Sequence, residues 1–116
     1  MAVPKYDELY VPFLKVIADG SEYSVREIRD RIAQYVGLTD EDLNEMQPSG
    51  KQATFVNRVG WARTYLGKAE LIETPRKRGY IRITGEGKRL LESGCKIDNE
   101  TLAEKYPWFA AFLKNK

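Results

Sequence analysis

The sequence predicts a mainly α domain carrying a small β-hairpin, on three observations. Apolar residues recur at helical spacing in several separate segments, two short β-prone runs flank a turn-forming stretch, and cations concentrate in the middle of the chain. The 116 residues suffice for one well-buried core but not two. One domain is therefore expected, with residues 1–96 as the main body and 97–116 as a C-terminal helical extension packed on it. A hydrophobic content of 42% with 31% charged residues is that of an ordinary soluble protein. No apolar run approaches the ~20 residues that span a bilayer.

The first helical pattern places Tyr6, Leu9, Phe13, Val16 and Ile17 on one face and ends at Asp19-Gly20. Pro12 lacks an N–H, so the helix either kinks there or begins its regular part with Pro12. Glu22-Tyr23 suits a very short strand. Ser24 and Glu27 then have capping-box spacing, and Val25, Ile28, Ile32 and Val36 form the stripe of a second helix closed by Gly37. Thr39 to Met46 predicts a short capped helical turn whose acids favour its N-terminal dipole; the acidic cluster reads as a solvated cap, with a metal or basic-partner site as the alternative. Gln47-Pro48-Ser49-Gly50 is a loop.

From Thr54 to Ala69 the residues Phe55, Val59, Ala62, Leu66 and Ala69 advance by four, three, four and three, which defines one buried stripe. The opposite face carries Asn57, Gly60, Thr64 and Lys68, with Trp61 beside them and Arg58 and Arg63 on the flanks. Leu71 to Thr74 and Tyr80 to Ile83 then predict a hairpin whose connection, Pro75 to Gly79, is cationic. Thr84 caps a further helix carrying Leu90 and Leu91, and Gly94 closes it. Leu102, a break at Pro107, then Trp108, Phe109, Phe112 and Leu113 predict the C-terminal helices. Three helices followed by a two-stranded hairpin is the order of the winged helix-turn-helix, here with extra C-terminal helices.

The formal net charge of +2 conceals a segregation along the chain. Residues 1–50 hold five Lys/Arg and ten Asp/Glu, residues 51–96 eleven and four, and the last twenty three and three. A basic block of this kind is the footprint of a phosphate-neutralising surface, provided the side chains converge on one convex ridge once folded. A major groove about 12 Å wide accepts one α-helix, and the third helix offers a narrow outer face for it. Asn57, Trp61 and Thr64 are candidates for base edges and Gly60 permits close approach, while Arg58, Arg63 and Lys68 suit phosphates. Packing or ion pairing is the alternative for Trp61 and the arginines, and for Arg58, beside the apolar stripe, nearly as good a reading. Lys51 and Gln52, just ahead of the helix, are candidates for the DNA backbone. Arg76, Lys77 and Arg78 form the wing: three adjacent cations repel one another unless a polyanion faces them.

Enzymatic chemistry finds little support. The absence of histidine removes the commonest general base and metal ligand, and the single cysteine, Cys95, precludes an internal disulfide or a cysteine-rich zinc site. Glu86-Gly87-Lys88 matches half of a magnesium-dependent nuclease motif, but it falls in the first turn of a capped helix instead of on a strand beside a second acid. No catalytic residue, metal or cofactor is expected.

Four stretches give the sequence a family likeness: Val3 to Asp7; Pro48 to Gln52; Asn57 to Leu66, with its distinctive tryptophan; and Tyr80 to Thr84 with Gly87 and Leu90-Leu91. In these the chain resembles the Mrr N-terminal domain family. The resemblance implies a winged-helix module that recognises duplex DNA, with or without modified bases, for a restriction endonuclease whose separate nuclease domain is not in this chain. A stand-alone winged-helix transcription regulator would share every local feature. A protein-interaction or dimerisation module is the reading from another class, with Trp108, Phe109, Phe112 and Leu113 forming the contact of a homodimer. The N-terminus lacks the basic-then-apolar order of a secretory signal, so the cytoplasm is the expected location, without a membrane partner.

Overall fold

The computed structural model describes residues 3–75 and 79–115. Its first helix begins in a way that accommodates Pro12. A 3-10 turn, Tyr6–Leu9, runs directly into α1, Tyr10–Val16. Pro12 thus occupies the third position of α1, inside the first turn, where proline is tolerated. The regular helix begins two residues before Pro12. Its buried face is wider than the expected stripe, since Tyr10 and Leu14 are as completely covered as Leu9, Phe13 and Ile17.

Ser24 has two roles because both require extended backbone. It ends β1, Tyr23–Ser24, and it caps α2, Val25–Val36. Its hydroxyl accepts from the Glu27 N–H at 3.1 Å, and the Glu27 carboxylate accepts from the Ser24 N–H at 3.2 Å. Gly37, at φ 76°, closes α2. Thr39 and Asp42 build the same reciprocal cap on α3, Asp40–Asn44. A narrow loop follows, pinned by a bridge between Met46 and Ala53 and by the Gln47 N–H donating to the Gln52 carbonyl at 2.9 Å. It delivers the chain to α4, Thr54–Lys68. The expected stripe of α4 is buried throughout, and Tyr65 joins it at 2% exposure.

The hairpin strands are β2, Ile72–Glu73, and β3, Tyr80–Ile83. Among the described residues the sheet has three antiparallel strands in the order β1-β3-β2, with Tyr23 opposite Ile81 and Ile72 opposite Ile83. The strand before α2 thereby closes onto the hairpin after α4, so α2, α4 and the sheet share one core. Helix α5, Gly85–Glu92, is capped by Thr84, whose hydroxyl accepts from the Gly87 N–H at 3.0 Å and donates to the Glu70 carbonyl at 2.8 Å.

Helix α6, Asn99–Lys105, ends at Tyr106, and α7, Pro107–Lys114, restarts with proline at its first position. Leu102, Tyr106 and Phe109 belong to the same core as the preceding elements; Phe112 and Leu113 are half-buried against it, and Trp108 is exposed. Asn99 ties the ends of the chain together, accepting from the Tyr10 hydroxyl at 2.6 Å and donating to that of Tyr6 at 2.9 Å. The molecule is mainly helical with a small three-stranded antiparallel sheet.

Candidate nucleic-acid interface

The outer face of α4 follows from the burial of the inner one. With Phe55, Val59, Ala62 and Leu66 directed into the core, Gly60 and Thr64 are exposed along the opposite ridge and Trp61 is 51% exposed beside them. Thr64 donates its hydroxyl to the Gly60 carbonyl at 3.1 Å, which holds its side chain back against the helix backbone. Asn57, at the start of the ridge, donates to the Gln52 side chain at 3.1 Å. The loop residue and the helix residue expected to touch DNA separately are thus one hydrogen-bonded pair. Gln52, Asn57, Gly60, Trp61 and Thr64 line one shallow hollow of about 240 Å³.

A larger groove, about 680 Å³, runs along the other flank of α4, between that helix, α2 and the sheet. Arg63 and Lys68 of α4 line it together with Gln52 and Thr64. So does Arg29, one turn into α2, a residue that sequence reasoning did not single out. The only signal in the sequence was its place four residues after Val25, on the rim of the α2 stripe, and that spacing says nothing of the helix across the groove. The single acid along the same wall, Glu73, is offset by Arg82, which donates to one of its carboxylate oxygens from two nitrogens at 2.9 and 2.7 Å.

Arg58 does not join this assembly. Its guanidinium donates to the carbonyls of Val3 and, at 3.3 Å, Pro4, and so fastens the N-terminal segment against α4. The flank assigned to phosphate is therefore occupied by the chain's own backbone. Lys51 is exposed in the loop ahead of α4 without lining either concavity. Arg76, Lys77 and Arg78 lie outside the described residues.

Glu86 and Lys88 sit in the first turn of α5, as the capping pattern predicts. The Glu86 carboxylate accepts from Arg89, whose Nε is 3.1 Å away, and from the Tyr106 hydroxyl at 2.5 Å. These bonds, Arg89's first, hold it below the usual carboxylate range. Burial, reinforced by that hydrogen bond, raises the Tyr106 hydroxyl above the usual phenol range. Glu86 is a clasp between α5 and the C-terminal helices. Among the described residues no three acids or cysteines gather as a metal site would require, and no helix is long and apolar enough to cross a membrane.

A small helical domain with an exposed polar helix beside a cation-lined groove is thus the class of molecule in hand. The family model described as the Mrr N-terminal domain matches residues 6–93, and the chain belongs to that family. Membership makes it a domain of the kind found in Mrr-like restriction systems. Searches of curated proteins and of solved structures found no match.

Proposed function

We infer that this domain is the DNA-recognition module of an Mrr-like restriction endonuclease, a winged helix that binds duplex DNA and leaves cleavage to a separate nuclease domain. The observation that carries the reading is the convergence of Arg29, Arg63 and Lys68, from two helices, on one groove beside the exposed face of α4. Solvated cations gain nothing from such crowding, whereas a phosphate backbone neutralises all three. The order α1, β1, α2, α3, α4, β2, β3, with β1 paired to β3, supports the winged-helix reading. In this arrangement α4 enters the major groove. Asn57, oriented by Gln52, and Thr64 meet base edges, and Arg29, Arg63 and Lys68 hold the flanking phosphates. Arg76, Lys77 and Arg78, between β2 and β3 in the sequence, provide the wing contact, and Lys51 a backbone contact ahead of α4.

The test is a fluorescence-anisotropy titration of matched methylated and unmethylated duplexes at two salt concentrations. Replacing Arg29, Arg63 and Lys68 together by Ala is expected to weaken binding to every duplex. It should also flatten the slope of log affinity against log salt by up to about 2.7, at ~0.9 per phosphate lost. Asn57→Ala or Thr64→Ala should instead change which duplex is preferred. A triple variant with the parent's affinity and salt slope would remove the groove from the interface, and no duplex binding even at low salt would end the DNA reading.

A further inference from the structure

On the flank of α4 away from Arg29 and Arg63 lies a second concavity, about 450 Å³ and almost wholly apolar, lined by Tyr6, Trp61, Thr64, Tyr65 and Phe112. Its rings are set as a floor with walls. Tyr65 is buried at the base, and the Trp61 and Phe112 rings stand nearly perpendicular to it, at 80° and 83°, with centroids 6.3 and 5.2 Å away. Tyr6 closes a third side, its ring centroid 4.9 Å from that of Tyr65 and its hydroxyl held by Asn99. The Lys68 ammonium stands 5.5 Å from the Phe112 centroid. Three separate parts of the chain, the N-terminal turn, α4 and α7, combine to build a hollow bounded by aromatic faces, with the Lys68 cation beside one of its rings.

We propose that this hollow receives a single unstacked nucleobase, stacked against Trp61, and that the phosphate Lys68 holds is that nucleotide's own. The proposal rests on the DNA-binding reading and extends it. Two observations select this occupant. The first is charge complementarity: an apolar peptide or lipid chain would have no use for the ammonium beside Phe112, whereas a nucleotide pairs a flat π-face with an attached anion. The second is continuity. Trp61 and Thr64 also line the shallow hollow that holds Asn57 and Gln52, so a strand lying along the α4 ridge needs only to turn one base aside to enter. The volume lies within the ~300–1,000 Å³ usual for small-ligand sites. Removing a base from a duplex costs least where it is already unpaired, so the hollow would favour DNA with a weakened or missing pair.

The experiment uses the full chain with Trp108, outside the hollow, replaced by Phe, so that Trp61 is the only tryptophan. Three DNAs are titrated: a fully paired duplex, the same duplex with one bulged base, and the corresponding single strand. The bulged duplex is expected to bind about ten-fold or more tightly than the paired one and to quench Trp61 emission. Trp61→Ala should abolish that preference, and Trp61→Phe, which keeps a stacking face, should restore most of it. Quenching by the single strand and not by the bulged duplex would support the nucleobase occupant and fix its source as unpaired strands. Equal affinity for paired and bulged duplexes with unchanged Trp61 emission would overturn the hollow's role while leaving the domain a DNA binder. Failure to bind any DNA would overturn the parent reading as well. A Trp61 emission that shifts with protein concentration without DNA would assign the hollow to a second copy of the chain and so refute the proposal.

Discussion

Glu70 follows the C-cap of α4 at φ 65°, the left-handed conformation that a helix end ordinarily gives to glycine. Its side chain is exposed, but its carbonyl accepts the Thr84 hydroxyl, so the backbone there is held by the cap of α5. Glu70→Gly relieves the Cβ strain at the cost of a looser unfolded chain. The variant is expected to gain about 0.5–1 kcal/mol in stability, read as a raised midpoint in urea unfolding with an unchanged slope. An equal or lower midpoint would mean that the added freedom of the unfolded chain outweighs the strain relieved. Arg58 shows the opposite arrangement, a surface-type residue employed within the fold: its bonds to Val3 and Pro4 bring the N-terminal segment over α4, where Tyr6 can reach Tyr65.

Helix α5 lies so close to the start of the hairpin that its second glycine has no room for a side chain. A Cβ on Gly87 would lie 2.3 Å from the Leu71 carbonyl oxygen and 2.8 Å from the Ile83 side chain. The Leu71 carbonyl cannot retreat cheaply because it accepts the Thr84 N–H at 3.0 Å, so strand, cap and helix would have to shift together. Gly87→Ala is expected to lose roughly 1–3 kcal/mol, despite alanine's higher helix propensity, with a corresponding drop in Tm by calorimetry. Gly85→Ala, two residues earlier in open space, is the control and should lose none. Equal Tm values for the two variants would show that α5 can slide on the sheet.

Acid should unfold the molecule through a small set of carboxylates. Asp19, Asp42, Glu86 and Asp98 are all held below their usual range: Asp19 by the Tyr23 hydroxyl, Asp42 and Asp98 by backbone N–H groups at the starts of α3 and α6, and Glu86 by Arg89. A carboxyl with a lowered value in the fold binds fewer protons than in the unfolded chain, so its stabilisation is complete above the ordinary carboxylate value and is lost as pH falls through the folded one. Stability should therefore be level from neutral pH to about 5 and fall below it. Replacing Glu86 by Gln and Asp98 by Asn should reduce that fall. An unchanged acid limb in the double variant would place the sensitivity elsewhere.

Local periodicity and capping chemistry were enough to find the buried stripe of α4, the reciprocal cap at Ser24 and Glu27, the hairpin strands and the break at Pro107, because each depends on residues a few positions apart along one element. The family could be read for a related reason, since its distinctive stretches are contiguous. The candidate interface was less legible, because a charge in the sequence does not reveal its partner. Of the cations between residues 51 and 96, Arg58 is engaged by carbonyls, and Arg82, Arg89 and Lys96 pair with Glu73, Glu86 and Asp98. Arg29, from the acidic half of the chain, faces the groove instead. Which side chains meet across α2 and α4, and which rings from the N-terminal turn, α4 and α7 enclose the hollow at Trp61, depends on how helices distant in sequence cross. That crossing is fixed by the packing of the shared core.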